Sequence, residues 1–348
     1  MDPGKIHHNA RTLVTRLRDR GISVTGVTKA TLGSPGIVDA WLHAGIDGLG
    51  DSRIENLEKI RQTEAPTSLT LIRSPMLSQA ERVVAHTDVS FNTELDVMSA
   101  LSSAAKKQDR IHGIVLMIEL GDLREGIMPA LIEKTVLEVL RFPNLSFKGI
   151  GTNLACRCGV SPDGTNMGTL STLADSIEAT FGITVETVSG GNSANLTWAL
   201  SGADTGRVND LRLGEALLLG VEPLHRNPIE GLHTDAITLV AEVIESKRKP
   251  SQPWGEIAES AFGEAESSAD RGTISQSILA IGRQDTDPDG LEPPTGLKIL
   301  AASSDHLVID SGNDQEPLRV GSEVSFQLNY SALLRAMTSP FISKEMQF

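Results

Sequence analysis

One lysine, Lys29, stands in "GVTKAT" among small and β-branched residues, with no other charge in the five positions that follow it. A lysine at a strand end can carry its amine into solvent on its aliphatic stem. A desolvated lysine can instead lose its proton and attack a carbonyl, forming a Schiff base. Downstream, "SGGNS" places Ser189, Gly190, Gly191, Asn192 and Ser193 in succession. Backbone N–H groups and hydroxyls of this kind suit a phosphate, and the same residues also make an ordinary turn. Other polar residues recur at the ends of apolar runs: Asp51 and Ser52 in "GLGDS", Arg124 after "IELGDL", Asn153 after "KGIGT", and Arg212 and Gly214 in "LRLGE". The two cysteines, Cys156 and Cys158 in "CRCG", are one residue apart, which differs from the usual zinc-ligand spacing, and there is no second pair. No metal site is expected.

These residues need a scaffold that brings strand ends together. Up to about residue 225, short apolar runs alternate with amphipathic segments. "GISVTGVTK", "LTLIRS", "DVSFNT", "HGIVLMIELGD" and "LSFKGIGTNL" read as strands, and "ETVSGGNS" as a strand closing into a Gly-rich loop. "PGIVDAWLHAG", "RIENLEKIRQT", "SQAERVVAH", "ELDVMSALSSAAKKQ", "ALIEKTVLEVLRF" and "STLADSIEATFG" read as helices. About eight β-then-α units imply a parallel sheet with right-handed crossovers, closed into a (β/α)8 barrel; an open doubly wound sheet is the alternative. In a barrel, chemistry sits where strands end, so the polar residues named above share one face. After about residue 230, "AITLVAEVIESKRKP", "SILAIGRQDTD", "LKILAASSDHLVID" and "SEVSFQLNYSALL" read as strands of a mainly β domain. The expected division is a barrel over 1–228 and a β-rich domain over 229–348. A lysine, a phosphate cradle and a barrel together suggest pyridoxal phosphate (PLP), which is held by a lysine imine and by its phosphate.

Composition narrows the partners. Lys and Arg number 31 against 45 Asp and Glu, for a net charge of -14. That balance argues against nucleic acid, whose phosphates need clustered basic residues. It is compatible with a cationic small substrate. No apolar run suggests a signal peptide or a membrane span, and two cysteines suit free thiols in a reducing compartment, the cytoplasm.

On "VTKA", "GDSRIENL", "ELGDLREG", "GIGTNLACRCG", "VSGGNSANL", "LRLGEALLLG", "ILAIGRQDTD", "ASSDHLVID" and "LNYSALL", in this order, the chain resembles the alanine racemase-like, fold type III PLP enzymes. Within them it is most similar to the ornithine racemase branch of amino-acid racemases. The resemblance implies that Lys29 carries the internal aldimine and moves the α-proton. It implies that Arg212 faces the pyridine nitrogen, and a guanidinium keeps its proton, so that nitrogen stays unprotonated. It gives the phosphate to Ser193, the Gly214 and Glu215 amides and Tyr330, and places Arg124 near the cofactor oxygen and the substrate carboxylate. Arg124 could instead form a structural ion pair with Glu119 or Asp122. Asn153 stands where a family histidine stacks on the ring.

The departures bear on mechanism. Alanine racemases take a second base, a tyrosine, from the partner subunit's β domain; that position here reads Arg283, and the single tyrosine, Tyr330, matches the phosphate position. Candidates for the second acid/base are His306, Cys156 and Asp285, with His306 favoured because an unperturbed imidazole titrates near neutral pH. Carboxylates around "RQDTDPDG" and "SSDH", Asp285 and Asp305 among them, suit a substrate with a second ammonium, such as ornithine or lysine. The resemblance implies a PLP-dependent racemase of a small-molecule amino acid, acting as a homodimer with active sites at the interface. A decarboxylase, a D-amino-acid aldolase and a non-catalytic PLP carrier on the same fold are the alternatives.

Overall fold

A computed structural model of the 348-residue chain describes residues 1–263, 269–312 and 317–347. Two compact units emerge: Asp2–Thr234, and Asp235–Gln347 together with Met1.

The larger unit is a closed barrel of eight parallel strands. They are β1 (Ser23–Val27), β2 (Gly48–Asp51), β3 (Ser68–Leu71), β4 (Val89–Asn92), β5 (His112–Met117), β6 (Leu145–Gly151), β7 (Thr187–Gly191) and β8 (Asp210–Leu213). Each pairs with the next, and β8 closes back on β1 with Thr25 opposite Arg212. Every residue of β5 is buried, as expected where a strand has barrel interior on one face and helices on the other. Phe91, Val115 and Met117 form an apolar plug inside the barrel, backed by Ile72 and Val89.

The outer helices follow local signals. Helix Pro35–His43 starts on a proline and buries Trp41 completely. The indole lies against Gly26 of β1, where a Cβ would stand 2.9 Å from Trp41 Cε3, so only glycine seats the ring on that strand. Truncation of Trp41 to alanine is expected to cost about 3–5 kcal/mol. Helix Gly164–Phe181 begins earlier than "STLADSIEATFG" predicts, because Asp163 and Asn166 form a reciprocal capping box. An additional helix, Pro3–Arg18, precedes β1; Asp2 caps it and Ile6, Ala10, Leu13, Val14 and Leu17 form its buried stripe.

The smaller unit holds a six-stranded sheet. Its strands are β9 (Thr238–Pro250), β10 (Thr273–Leu279), β11 (Leu291–Glu292), β12 (Lys298–Ala302), β13 (Leu307–Asp310) and β14 (Glu323–Leu328), in the order β11-β14-β9-β10-β13-β12. Leu239, Ala241 and Val243 alternate inward along β9 and meet Leu279, Ile309 and Phe326 in one core. The strand expected over "SEVSFQLNYSALL" ends at Leu328, and Tyr330–Thr338 is a helix. Asn329 Oδ1 accepts from Ala332 N at 2.9 Å, and the apolar positions 332, 333, 336 and 337 have helical spacing. No helix among the described residues is long and apolar enough to cross a membrane.

Candidate active site

Lys29 follows β1 by two residues and opens a 3₁₀ turn, Lys29–Thr31. It is half-buried, between fully buried Thr28 and Ala30. The turn is pinned from the neighbouring strand: Thr28 Oγ1 donates to Asp51 Oδ2 at 2.7 Å. Asp51 also accepts from Arg53 N at 2.8 Å and Asn56 Nδ2 at 3.1 Å. Burial raises the Asp51 carboxyl above its ordinary pKa, against these hydrogen bonds and the charge of Lys29. Lys29 also acts on Glu215, the residue after Gly214 at the end of β8. Burial pushes its carboxyl up too, opposed by Arg226, its salt-bridge partner, and by Lys29. Lys29 thus acts electrostatically on two carboxyl groups, neither of which sequence reading assigned to it.

Arg212, 4% exposed, projects inward from β8. Its Nη2 donates to Thr152 O at 2.6 Å and its Nη1 to Ser189 Oγ at 2.5 Å. Its Cζ lies 4.8 Å from the centre of the Phe91 ring, at the top of the apolar plug. Ser189 in turn donates to Asp210, which also accepts from Thr25 Oγ1 at 2.8 Å. Burial pushes the Asp210 carboxyl up and the Arg212 guanidinium down, and each charge opposes the shift of the other. A period of two places Asp210 and Arg212 on one face of β8, a signal already present in "DLRL".

The "SGGNS" segment ends β7 at Gly191 and continues into a 3₁₀ turn, Ser193–Asn195. Gly191 has φ of 140°, and a Cβ there would stand 2.3 Å from Asn195 Oδ1, so the turn requires glycine. Ser193 Oγ accepts from Ala216 N at 3.3 Å, which links the ends of β7 and β8. Gly190 and Gly191 are buried, and Gly214 precedes the short helix Glu215–Leu219.

The loop after β6 joins the same end of the barrel. Asn192 Nδ2 donates to Asn153 Oδ1 at 3.1 Å and to Leu154 O at 2.9 Å. Cys156 Sγ accepts from Asn153 Nδ2 at 3.0 Å and from Asn192 Nδ2 at 3.4 Å. Buried Asp122 holds this loop by accepting from the amides of Cys156, Arg157 and Cys158 at 3.1, 2.9 and 3.0 Å. Burial alone would raise its pKa, and the amides of Cys158, Arg157 and Cys156 together outweigh that effect and leave it lowered. Arg124 pairs with Glu125 at 2.8 Å, not with Glu119 or Asp122. Arg124, Cys156 and Glu125 all act electrostatically on Arg212. The barrel therefore brings Lys29, Arg124, Asn153, Cys156, Ser189, Gly190, Gly191, Asn192, Ser193, Arg212, Gly214 and Glu215 to one set of strand ends.

The remaining expected residues belong to the smaller unit. Arg283 Nε donates to Ala302 O at 3.3 Å, and its Cζ lies 5.2 Å from the Phe262 ring centre. Asp285, 6% exposed, accepts from Gly282 N at 3.0 Å and from Ser339 Oγ at 3.1 Å, so both oxygens are engaged in its own domain. His306 Nδ1 lies 3.0 Å from Asp305 Oδ1 in the turn between β12 and β13. Tyr330 opens the helix capped by Asn329.

Residues 1–223 match the family model described as the alanine racemase N-terminal domain. Over 349 residues the chain is 38% identical to ornithine racemase of Acetoanaerobium sticklandii, covering 99% of this chain and 98% of that protein. Over 341 residues it is 37% identical to lysine racemase of Thermotoga maritima, covering 98% and 95%. Among solved structures, alanine racemase from E. faecalis is similar with a TM-score of 0.75 at 17% identity, covering 100% of this chain and 97% of that one; this last likeness is one of fold. With the family model spanning all eight barrel strands and both relatives matched along nearly their full length, this chain belongs to the alanine racemase N-terminal domain family.

Proposed function

We propose that this protein is a PLP-dependent racemase that interconverts the L and D forms of a basic amino acid, ornithine or lysine. The observation that carries the reading is the convergence of Lys29, buried Arg212 and Ser193 at the strand ends of one barrel. These residues fit the cofactor on three counts. Lys29 offers the primary amine. Arg212 offers a donor-only group for the ring nitrogen, already oriented by Ser189 and Thr152. Ser193, with the Gly214 and Glu215 amides, offers the phosphate donors. Bound there, PLP supplies the conjugated system that spreads the electron pair left when the substrate α-carbon loses its proton.

The chain's own residues do the rest. Lys29 takes the α-proton on one face, its turn held by the Thr28–Asp51 hydrogen bond. Arg124 receives the substrate carboxylate. Arg212 cannot protonate the ring nitrogen, which tempers the electron sink and favours reprotonation over side reactions. The opposite face needs an acid, and the Arg283 guanidinium is too weak a one. What supports Cys156 over His306 is that its thiol lies in the same unit as Lys29. Its loop leaves the barrel three strands away from β1, and two side-chain amides hold the sulfur. Both Asp285 oxygens are engaged within its own domain, whereas the His306 and Ser303 contacts of the more exposed Asp305 fall on Oδ1 alone, which favours Asp305 as the partner for a second substrate ammonium. We place the enzyme in the cytoplasm as a homodimer whose β domain completes the partner's site.

Incubation of the PLP-loaded protein with L-ornithine and with L-lysine, followed by chiral chromatography, should show the D-isomer accumulating toward equal amounts. Borohydride reduction followed by peptide mass spectrometry should place the fixed cofactor on Lys29. An adduct on another lysine, or no inversion of either substrate, overturns the reading.

A further inference from the structure

Arg212 is the near end of a hydrogen-bonded file that crosses the barrel. From the guanidinium it passes to the Ser189 hydroxyl, from there to Asp210, and ends on the Thr25 hydroxyl, so β8, β7, β8 and β1 contribute in turn. Asp210 is buried, yet it lines a cavity of about 270 Å³ at the opposite end of the barrel, together with polar Thr25, Asp47 and Asn209 and apolar Val89, Phe91 and Val115. One of its oxygens accepts from Ser189 and the other from Thr25. Both oxygens are thus engaged, and the charged group that the file leads to is the Arg212 guanidinium, which keeps its proton. The Ser189 hydroxyl accepts a hydrogen bond from Arg212 and donates one to Asp210, so it joins the two.

We infer that Asp210, acting through Ser189, is a positioning residue and counter-ion for Arg212, so that the group facing the cofactor ring is a fixed donor carrying little net charge. The inference rests on the reading above that Arg212 faces bound PLP. A guanidinium alone beside the ring would impose a full positive charge in a low-dielectric setting. Paired with Asp210 it keeps its hydrogen-bond geometry while its long-range field is largely cancelled. The charged groups acting on Asp210 are Arg212 and Asp47, and only Arg212 belongs to the file.

The test is the pH midpoint of the cofactor's visible absorbance change in the substrate-free holoenzyme. Asp210→Asn removes the counter-charge, and the unopposed guanidinium disfavours the protonated chromophore. The midpoint should fall by on the order of half a pH unit. Ser189→Ala, a milder change that serves if Asp210→Asn does not fold, should move it in the same direction by less. Asp47→Asn removes a nearby charge outside the file and should leave it in place. No shift in folded Asp210→Asn or Ser189→Ala, or an equal shift in Asp47→Asn, overturns the inference. Arg212→Gln separates this from failure of the site reading. If it alters the spectrum while Asp210→Asn does not, the file is wrong and the site stands; if it leaves the spectrum unchanged, Arg212 does not face the cofactor and both fall.

Discussion

The Thr28 hydroxyl donates to Asp51 at 2.7 Å, tying the residue before Lys29 to the end of the neighbouring strand. Both partners are fully buried, so the link is shielded from competing water. Lys29 lies just past the regular part of β1, where ladder hydrogen bonds no longer fix the chain. The Asp51 carboxyl, braced by Arg53 N and Asn56, fixes it instead.

Thr28→Val keeps the side-chain shape and removes that donor. The expected loss is about 1–3 kcal/mol, the range for leaving a buried acceptor short of a partner. Urea unfolding measures it. Racemisation should fall with the cofactor still bound, since the amine is misplaced and not removed. An unchanged turnover number would show that the turn holds Lys29 without Asp51.

His112 supplies a pH test of the barrel. It is 1% exposed, its Nε2 lies 2.8 Å from Ser90 Oγ, and its pKa is lowered to about 4, mainly by burial and next by Arg110. The folded state prefers the neutral ring. That stability is therefore complete above the unfolded value of 6.5 and is lost as pH falls through the folded value of about 4. The loss amounts to on the order of 3 kcal/mol across this window. Denaturant titrations of wild type and His112→Gln at a series of pH values should show a shallower slope for the variant; parallel slopes would exclude His112 as the titrating group.

Proton delivery to the second face separates Cys156 from His306. Cys156→Ser should lower racemisation by roughly 10²–10⁴, the usual range for a lost acid/base group, with PLP retained. In deuterated solvent, exchange from one enantiomer should then outlast net inversion. Cys158→Ser, two residues away on the same loop, should behave as wild type. A normal Cys156→Ser enzyme with an impaired His306→Gln enzyme would move the role to the β domain.

The loop bearing Cys156 depends on Asp122. Hydrogen bonds to a charged group contribute about 1.5–3 kcal/mol each, and Asp122 accepts three from consecutive residues. Asp122→Ala should leave the barrel's unfolding transition nearly cooperative while speeding amide exchange at 156–158. Hydrogen exchange read by mass spectrometry checks this, and unaltered protection there would assign the loop's order to the Asn153–Asn192 contacts.

Strand-end chemistry was legible in the sequence because a parallel barrel aligns every strand in one direction, so the residues after each apolar run share one face. Lys29, the "SGGNS" turn and Arg212 could be read as neighbours on that ground alone. The helix after Asn329 was not, since "LNYSALL" continues an apolar alternation and only the cap at Asn329 turns it into a helix. The partners of those strand-end residues depend on which strands lie side by side. Asp51 meets Thr28, and Ser189 joins Arg212 to Asp210, only because β2 and β1, and β7 and β8, are adjacent in a closed sheet. Arg124 shows the same limit from the other side: sequence reading offered Glu119 or Asp122 as its ion-pair partner, whereas the folded loop directs Asp122 to three amides, Glu119 to the Gly121 and Leu123 amides, and Glu125 to Arg124. Residue type and periodicity determine which groups reach the mouth of the barrel; the register between strands and the competition for backbone amides decide which of them touch.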